Sequence, residues 1–291
     1  MKTLKSVLDR LYAEYDFAAR MLFDPIEFPH RYTDPADIEV TGFISCCLAY
    51  GKVELFKPVL ESIFDRMSRK EKSPRDFLLR FDAGKQRDLF AGVQYRFNRN
   101  GDILSLFHVL HRLLSRHGSL EAVFMKHYSK SDSTVGGGLT GLVEEALSID
   151  TSPVYGENRK PYGFLQFFPS PGRGSACKRM NLFLRWMVRD RDIDFGIWKG
   201  VSKNKLVIPL DTHIARIAKC LGFTKRSSQD WKTAVEITDA LKQFDPGDPL
   251  KYDFALCHQG ISKVCTGVRC AECRLFGRKR KEREDRSYRT G

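Results

Sequence analysis

The sequence predicts a nearly all-α protein, and three observations lead to that prediction. Apolar residues recur at the spacing of one helical face in segment after segment. Almost no segment alternates between apolar and polar residues with the period of two that a half-buried strand requires. Residues that favour helix N-caps, such as aspartate and serine, stand just before several of the periodic segments. We therefore expect two helical lobes with short connections.

The apolar faces can be followed from the N-terminus. Those of the first three predicted helices consist of Leu4, Val7, Leu8, Leu11 and Tyr15; Val40, Phe43, Ile44, Cys47 and Leu48; and Leu55, Phe56, Val59, Leu60, Ile63 and Phe64. Asp102 and Ser119 are expected to cap the next two helices, DILSLFHVLHRLLSRH and SLEAVFMKHY. Another helix is predicted after Ser228, and the last long one covers residues 252–261.

One stretch interrupts this pattern and divides the chain. Residues 129–163 are rich in Gly, Ser, Pro and Asp, which predicts an exposed connecting loop with a short helix inside it. We expect a helical lobe over residues 1–128 and a second helical lobe over residues 164–273. In the tail, residues 274–291, basic residues dominate, which predicts disorder.

The charge of the chain favours a polyanionic partner. There are 49 Lys and Arg against 36 Asp and Glu, which gives a formal net charge of +13. A surface of this kind favours nucleic acid, although charge alone does not separate DNA from RNA. The tail from Arg274 to Gly291 holds eight basic and three acidic residues, so it is expected to raise nonspecific, salt-sensitive affinity. A solvated terminus with no role is the alternative.

The sequence gives no sign of a membrane or secreted protein. No run approaches the roughly 18 apolar residues that span a bilayer, and MKTLKSVLDRLYAEYDF predicts an amphipathic helix rather than a signal peptide. We therefore expect a cytoplasmic, nucleoid-associated protein. The eight cysteines are then expected to be reduced, and any cluster among them suggests a metal rather than disulfides.

A tight turn precedes one of the basic helices. In FPSPGRGSACKRMNLFLRWMVR, Pro171, Gly172 and Gly174 predict a turn that exposes backbone N–H groups to a phosphate. Arg173 stands at the centre of the same turn.

The helix after this turn contains a candidate nucleophile. Lys178, Asn181, Arg185 and Arg189 share the face opposite the apolar one. A lysine whose stem lies on a packed helix beside a second cation, here Arg185, is expected to have a lowered pKa and a nucleophilic amine. The same stripe is also what the solvated face of an amphipathic helix presents.

A single carboxylate opens the next predicted helix, PLDTHIARIAKCLG. Asp211 is a favoured N-cap residue, and Gly222 ends the helix. A carboxylate at the positive end of a helix stays ionised, so it can also stabilise a developing cation or take up a proton. The sequence leaves a capping role alone and a capping role with chemistry both open.

The order of these features resembles the helix-hairpin-helix DNA glycosylase superfamily, which includes endonuclease III and the 8-oxoguanine glycosylases. A Pro-Gly-x-Gly turn, a helix carrying a lysine, and Leu-Asp-Thr-His at the start of the next helix follow one another as in that group. The endonuclease III helix that leads to the cluster cysteines is similar to YDFALCHQGISKVC. The segment before the hairpin in that group is similar to YRFNRNGDILSLFHVLHRLLSRHGSLEAVF. SACKRMNLFLRWMVR resembles a bacterial subfamily of unassigned function, and the lysine-to-aspartate layout most resembles the archaeal 8-oxoguanine glycosylases.

The resemblance implies a helix-hairpin-helix motif beside a cleft between two lobes, and it implies roles for individual residues. Lys178 matches the lysine that attacks the sugar, and Asp211 matches the superfamily's aspartate. Arg185 matches a second cation of the archaeal enzymes, and His213 matches a DNA-phosphate contact, to which Arg216 is added.

Other DNA contacts follow from the same likeness. The backbone of Gly172, Arg173 and Gly174 is expected to hold a phosphate, and a monovalent cation on the hairpin carbonyls is a further implied ligand. The turn AYGKVE stands where related enzymes insert a side chain into the duplex, which makes Tyr50 and Lys52 the candidate wedge.

The C-terminal cysteines have a spacing that is typical of a metal site. Four residues separate Cys265 from Cys270, and two separate Cys270 from Cys273. Either Cys257 or His258 from the preceding helix can complete a zinc or iron–sulfur site, and a remnant cluster without metal is the alternative.

The function that the resemblance implies is removal of a damaged base from double-stranded DNA. The expected enzyme is a DNA glycosylase with AP-lyase activity that flips out an oxidised purine, 8-oxoguanine as the first choice, and works as a monomer without a cofactor. The alternative is a noncatalytic protein that binds DNA structure with the same fold.

Overall fold

The computed structural model describes residues 2–261 together with two short strands, and the side chains of residues 4–260. Most of these residues are helical, which confirms the all-α prediction. The α-helices of the described residues are α1 Lys2–Ala13, α2 Phe17–Met21, α3 Pro35–Leu48, α4 Val53–Ser68, α5 Pro74–Leu79, α6 Asn100–His117, α7 Leu120–Met125, α8 Gly136–Ser148, α9 Ser152–Tyr155, α10 Tyr162–Leu165, α11 Lys178–Val188, α12 Thr212–Leu221, α13 Trp231–Lys242 and α14 Asp253–Ile261.

Short elements complete the fold. Single 3₁₀ turns are formed by Pro25–Glu27, Pro29–Arg31, Asp88–Phe90, Pro171–Arg173 and Lys203–Lys205. The strands β1 (Glu272–Cys273) and β2 (Arg278–Lys279) pair antiparallel, with Glu272 opposite Lys279.

Helix α3 lies at the centre of the core. Its residues 38–48 are all buried, as expected for a helix that is apolar around most of its circumference. It packs against α11, where the rings of Phe43 and Phe183 meet edge to face with centroids 5.2 Å apart. This contact joins the N-terminal helices to the helix that carries Lys178. The division into lobes over residues 1–128 and 164–273 stays a prediction.

The prediction for residues 129–163 was wrong in its main point. This stretch contains three helices, α8, α9 and α10, and the face of α8 that includes Leu139, Leu142 and Val143 is buried. Its glycines permit close packing rather than a flexible loop, because a Cβ on Gly138 would lie 2.5 Å from the Phe124 ring.

One predicted cap was also misplaced. Helix α6 begins at Asn100 with Arg99 as its N-cap residue, and Asp102 instead lies in the first turn, where its carboxylate accepts the Arg99 N–H at 2.8 Å. The cap predicted at Ser119 is confirmed, since its hydroxyl accepts the Ala122 N–H.

A buried ion network fixes the end of α11. Arg185 binds Asp194 at 3.2 Å and Asp253 at 2.6 Å, so that α11 is tied to α14. Arg189 binds the same Asp194 at 2.7 Å and Asp248 at 2.9 Å. The Asp194 carboxylate is therefore shared by two buried guanidinium groups, each with a side chain only 3% exposed.

In the part of the chain that the structure describes, none of the helices combines the length and the apolar character that crossing a bilayer requires.

Removal of the shared carboxylate is expected to destabilise the protein strongly. Asp194→Ala leaves two buried guanidinium groups without one of their partners, which typically costs about 3–5 kcal/mol. Asp190→Ala is the control, because its carboxylate is 56% exposed in the pair with Lys203 and such pairs contribute about 0–1 kcal/mol. The free energy of unfolding, measured by urea denaturation, is expected to separate the two variants. Equal losses would contradict the importance of the network.

Candidate active site

Lys178 begins α11 directly after the predicted tight turn. Gly174 has a φ of +78°, and Cys177 takes the left-handed conformation with a φ of +51° at the N-cap position. The Asn181 side-chain amide donates to the Ala176 carbonyl at 3.1 Å, which holds the strained entry of the helix. These bonds fix the origin of the Lys178 side chain.

The two oxygens of the Asp211 carboxylate have different partners. Oδ1 accepts the backbone N–H groups of His213 and Ile214, at 2.9 and 2.8 Å, and so caps α12. Oδ2 lies 3.2 Å from Lys178 Nζ. One side chain therefore performs the capping role and still presents a charged oxygen to the amine. The pairing of Lys178 with Asp211 that the sequence suggested is present in the structure.

Helix α14 forms the third side of this site. The Cys257 Sγ lies 3.6 Å from Asp211 Oδ2, the same oxygen that contacts Lys178. Gly260 allows α12 and α14 to approach, because a Cβ at that position would lie 2.7 Å from the Cβ of His213. The result is a junction of α11, α12 and α14, with one cation, one carboxylate and one thiol in contact.

The lysine is accessible, whereas the carboxylate is largely covered. The Lys178 side chain is 43% exposed and that of Asp211 11%. Part of the lysine side chain is thus open to solvent, while the acid that pairs with its amine is largely covered.

The expected fall in the Lys178 pKa was wrong. Burial is the largest single effect and lowers the pKa of the ammonium, but the negative groups around it, first the Asp211 carboxylate and also Asp24, together raise the pKa above its usual value. The pKa of Asp211 moves the other way: burial raises it, but the Lys178 charge and the capped backbone N–H groups bring the net pKa below the ordinary range. At neutral pH the two groups therefore form an ion pair.

The predicted partner of Lys178, Arg185, does not act as its neighbouring cation. The Arg185 side chain points into the core, where Asp194 and Asp253 neutralise it, and it is only 3% exposed. Its assignment as a DNA contact was therefore wrong. The face of α11 that looked like a solvated stripe is exposed at Lys178 and buried at Asn181, Arg185 and Arg189.

The phosphate contacts predicted in the turn are only partly available. Gly172, Arg173 and Gly174 are exposed, but the N–H groups of Arg173 and Gly174 already donate to the carbonyls of Ser170 and Pro171. The carbonyls of Ser170 and Pro171 accept these bonds, and the Gly174 carbonyl accepts the Trp231 N–H. The Arg173 side chain is exposed, and its guanidinium stays suited to a phosphate.

The predicted contacts on α12 lie beside the lysine–aspartate pair. His213 follows Asp211, and its Nδ1 lies 2.9 Å from the exposed Arg216 guanidinium. Both side chains are therefore positioned at the same end of the helix as Asp211.

The predicted wedge residue Tyr50 is partly buried and is held by its neighbours. Its hydroxyl lies 2.6 Å from Asn98 Oδ1, and the Arg179 guanidinium lies 5.1 Å from the centre of its ring. Tyr50 is therefore not free to enter a duplex, which corrects that assignment, while Lys52 is exposed at the start of α4.

Sequence reasoning missed two exposed aromatic residues next to Tyr50. Phe97 stacks on Tyr50 with centroids 6.4 Å apart, and Tyr162 meets Phe97 edge to face at 5.9 Å. Phe97 lies in a tight turn and Tyr162 begins the four-residue helix α10, and both segments are too short for helical periodicity to give a signal. For Phe97, an aromatic residue within the basic segment RFNR was the one available indication.

The proposed metal ligands are only partly described. Burial raises the pKa of the Cys257 thiol well above its usual value, and the Asp211 carboxylate raises it further. The side chains of Cys265, Cys270 and Cys273 lie outside the described residues. Among the side chains that the structure does describe, no group of three metal-binding residues occurs.

Comparison with known proteins places the chain in a family. No curated protein and no solved structure matches it significantly. A family model described as a protein of unknown function, DUF2400, matches residues 24–262, a range that includes Lys178, Asp211 and Cys257. Because this match covers most of its length, the chain belongs to the DUF2400 family.

Proposed function

We propose that the protein is a DNA glycosylase with AP-lyase activity that removes a damaged base, with an oxidised purine such as 8-oxoguanine as the first substrate to test. The observation that carries the proposal is the 3.2 Å contact between the Nζ atom of Lys178, whose side chain is partly exposed, and the capped Asp211 carboxylate. An amine and an acid in contact at one accessible point are the groups that Schiff-base excision needs. The net charge of +13 supports a nucleic-acid substrate.

The proposed chemistry begins with proton loss from Lys178. The free amine attacks C1′ of the flipped nucleotide, and the bond from C1′ to the base breaks, so that its electron pair leaves with the base, which takes up a proton. The sugar ring then opens, and an iminium bond forms between Nζ and C1′. Loss of a C2′ proton expels the 3′ phosphate and cuts the strand, and water releases the lysine.

Asp211 has two tasks in this scheme, and the electrostatic one dominates. Its pKa is lowered, which makes it a weak base for the Lys178 proton. The same property keeps it ionised, so it stabilises the positive charge that develops on the sugar. Its capping bonds to α12 hold the carboxylate in place throughout.

The other candidate is a noncatalytic protein that binds DNA structure. It is favoured by the raised pKa of Lys178, because a stable ion pair is also what a purely structural contact produces. The two candidates differ in whether a covalent adduct forms.

Substitution of the amine is expected to abolish that adduct. When the protein is mixed with borohydride and duplex DNA that contains 8-oxoguanine or an abasic site, a trapped adduct is expected on a denaturing gel. Lys178→Arg keeps the positive charge beside Asp211 but cannot form the imine, and Lys178→Gln removes both. Both variants should lose the adduct while binding of the same duplex is largely retained.

Lys219→Gln is the matched control, because this lysine lies exposed on α12 and is predicted to have no part in the reaction. An adduct that survives both substitutions of Lys178 would reject the assigned nucleophile. No adduct with any lesion in a panel of single-lesion duplexes would favour the noncatalytic candidate.

The rate of adduct formation is expected to increase from neutral to alkaline pH. Because the pKa of Lys178 is raised, the reactive neutral amine is a minor species at neutral pH, and its fraction grows about tenfold per pH unit below that pKa. Trapping rates measured across this range with excess DNA report the effect.

Asp211→Asn tests the sign of this dependence. Asparagine keeps the N-cap but removes the charge that raises the Lys178 pKa, so the increase in the trapping rate should occur at lower pH. The maximal rate should fall by about 10²-fold, because stabilisation of the positive sugar is lost. A profile that is flat in the unchanged protein, or identical in both proteins, would contradict the proposed coupling.

A further inference from the structure

Two large aromatic side chains lie exposed and in contact with each other. Phe97 is 53% exposed and Tyr162 65%, and their rings meet edge to face at an angle of 85°. Exposed apolar side chains that stand singly need no explanation, but adjacent ones from separate segments form a surface suited to binding. Aromatic rings provide large contact areas at low entropic cost.

The protein holds this pair in place with buried hydrogen bonds. Phe97 lies at the tip of a turn closed by two backbone hydrogen bonds of 2.8 Å between Tyr95 and Asn98. The fully buried Asn98 side chain donates at 2.6 Å to the carbonyl of Gly163, next to Tyr162. One asparagine thus supports both rings, so little order is left to be imposed when a ligand binds.

Arg96, the other residue at the tip, is held beside the ring. Its φ of +50° lies in the left-handed region that residues other than glycine rarely adopt. Its guanidinium carbon lies 5.8 Å from the centre of the Phe97 ring. Gly51 leaves room for this guanidinium, because a Cβ there would lie 2.5 Å from it.

A basic groove adjoins the two rings. Its volume is about 580 Å³, and its lining includes Arg96, Arg99 and Arg159 together with Phe97 and Tyr162. One carboxylate, that of Asp102, also lines it and already accepts a hydrogen bond from the Tyr155 hydroxyl. The volume falls within the ~300–1,000 Å³ that is usual for small-ligand sites and is sufficient for a nucleobase. Apolar rings among three arginines favour an anionic ligand with flat apolar faces, and a nucleotide has both properties.

The groove is connected to the candidate active site through α11. Arg179, the residue after Lys178, donates to the carbonyls of Cys47 and Gln166, and its guanidinium covers Tyr50. The Tyr50 ring in turn stacks on Phe97. These contacts join the two rings to the helix that carries Lys178.

We infer that Phe97, Tyr162, Arg96, Arg99 and Arg159, the aromatic–arginine patch, bind an unpaired nucleotide. The base stacks on the exposed rings, and the arginines contact the flanking phosphates. An unpaired base is required because the bases of an intact duplex cover one another's faces. The inference rests on the proposed nucleic-acid substrate but not on the proposed chemistry of Lys178.

Binding of single-stranded DNA without a lesion tests the patch by itself. The probe is a fluorescein-labelled oligothymidylate of about ten nucleotides, within the ~4–16 nucleotides that comparable sites cover, and the readout is fluorescence anisotropy. Phe97→Leu and Tyr162→Leu remove a ring but keep an apolar side chain, and each should weaken binding between about 5-fold and about 150-fold. The same two substitutions should weaken the binding of a blunt duplex of the same length much less.

Matched variants that keep a ring separate stacking from general disturbance. Phe97→Trp and Tyr162→Phe should bind nearly as tightly as the unchanged protein. In Phe97→Trp the introduced indole should also be quenched when the oligonucleotide binds, because a base stacks on it. Urea denaturation of all variants controls for folding.

Three results would overturn the inference: no binding of the oligonucleotide, unchanged binding by a folded Phe97→Leu protein, or binding to Phe97→Trp without quenching. Because this experiment contains neither a lesion nor borohydride, its failure is distinct from failure of the proposed function. Ring-dependent binding without any covalent adduct would support the patch and reject the glycosylase. A covalent adduct on Lys178 together with binding that does not depend on the rings would support the glycosylase and reject the patch.

Discussion

The structure of the candidate site depends on the division of one carboxylate between two tasks. Asp211 Oδ1 closes the N-terminus of α12, which leaves Oδ2 fixed against Lys178 and Cys257. The cap holds the acid in place at a largely covered position. The Lys178 charge, together with the backbone N–H groups at the cap, keeps the acid ionised there. It also means that asparagine can replace Asp211 with the helix intact, which separates the structural task from the electrostatic one.

A second constraint decides which cations of α11 can meet a ligand. Asp194 and Asp253 draw Arg185 into the core, which ties α11 to α14 and brings α14 against α12. The basic stripe is consequently divided: its first member, Lys178, faces solvent, and its later members are buried with their counter-ions. Because a lone buried charge is very costly, these arginines contribute to positioning the helices rather than to binding a polyanion.

Features that depend on residues close together in the chain could be predicted from the sequence. Features that depend on contacts between distant residues could not. Helical periodicity predicted the fold class, and the cap preference of aspartate together with the motif order predicted that Lys178 and Asp211 belong together. The burial of Arg185 could not be predicted, because its partner Asp253 is 68 positions away in the chain. The exposure of Phe97 and Tyr162 depends on the packing of two short segments, for which no sequence period exists. The glycine content of residues 129–163 predicted a loop. Glycines that permit close helix packing give a segment the same composition as a flexible connection, so the sequence did not separate the two.

The central claim is that the amine of Lys178 attacks C1′ of a damaged nucleotide, and the position of the covalent bond tests it most directly. The borohydride-reduced complex can be digested with protease and nuclease, and the modified peptide identified by mass spectrometry. The account predicts a single modified lysine, Lys178, carrying the mass of the reduced sugar fragment. A sugar fragment on another lysine, or a reaction that cuts DNA without any modified lysine, would contradict it.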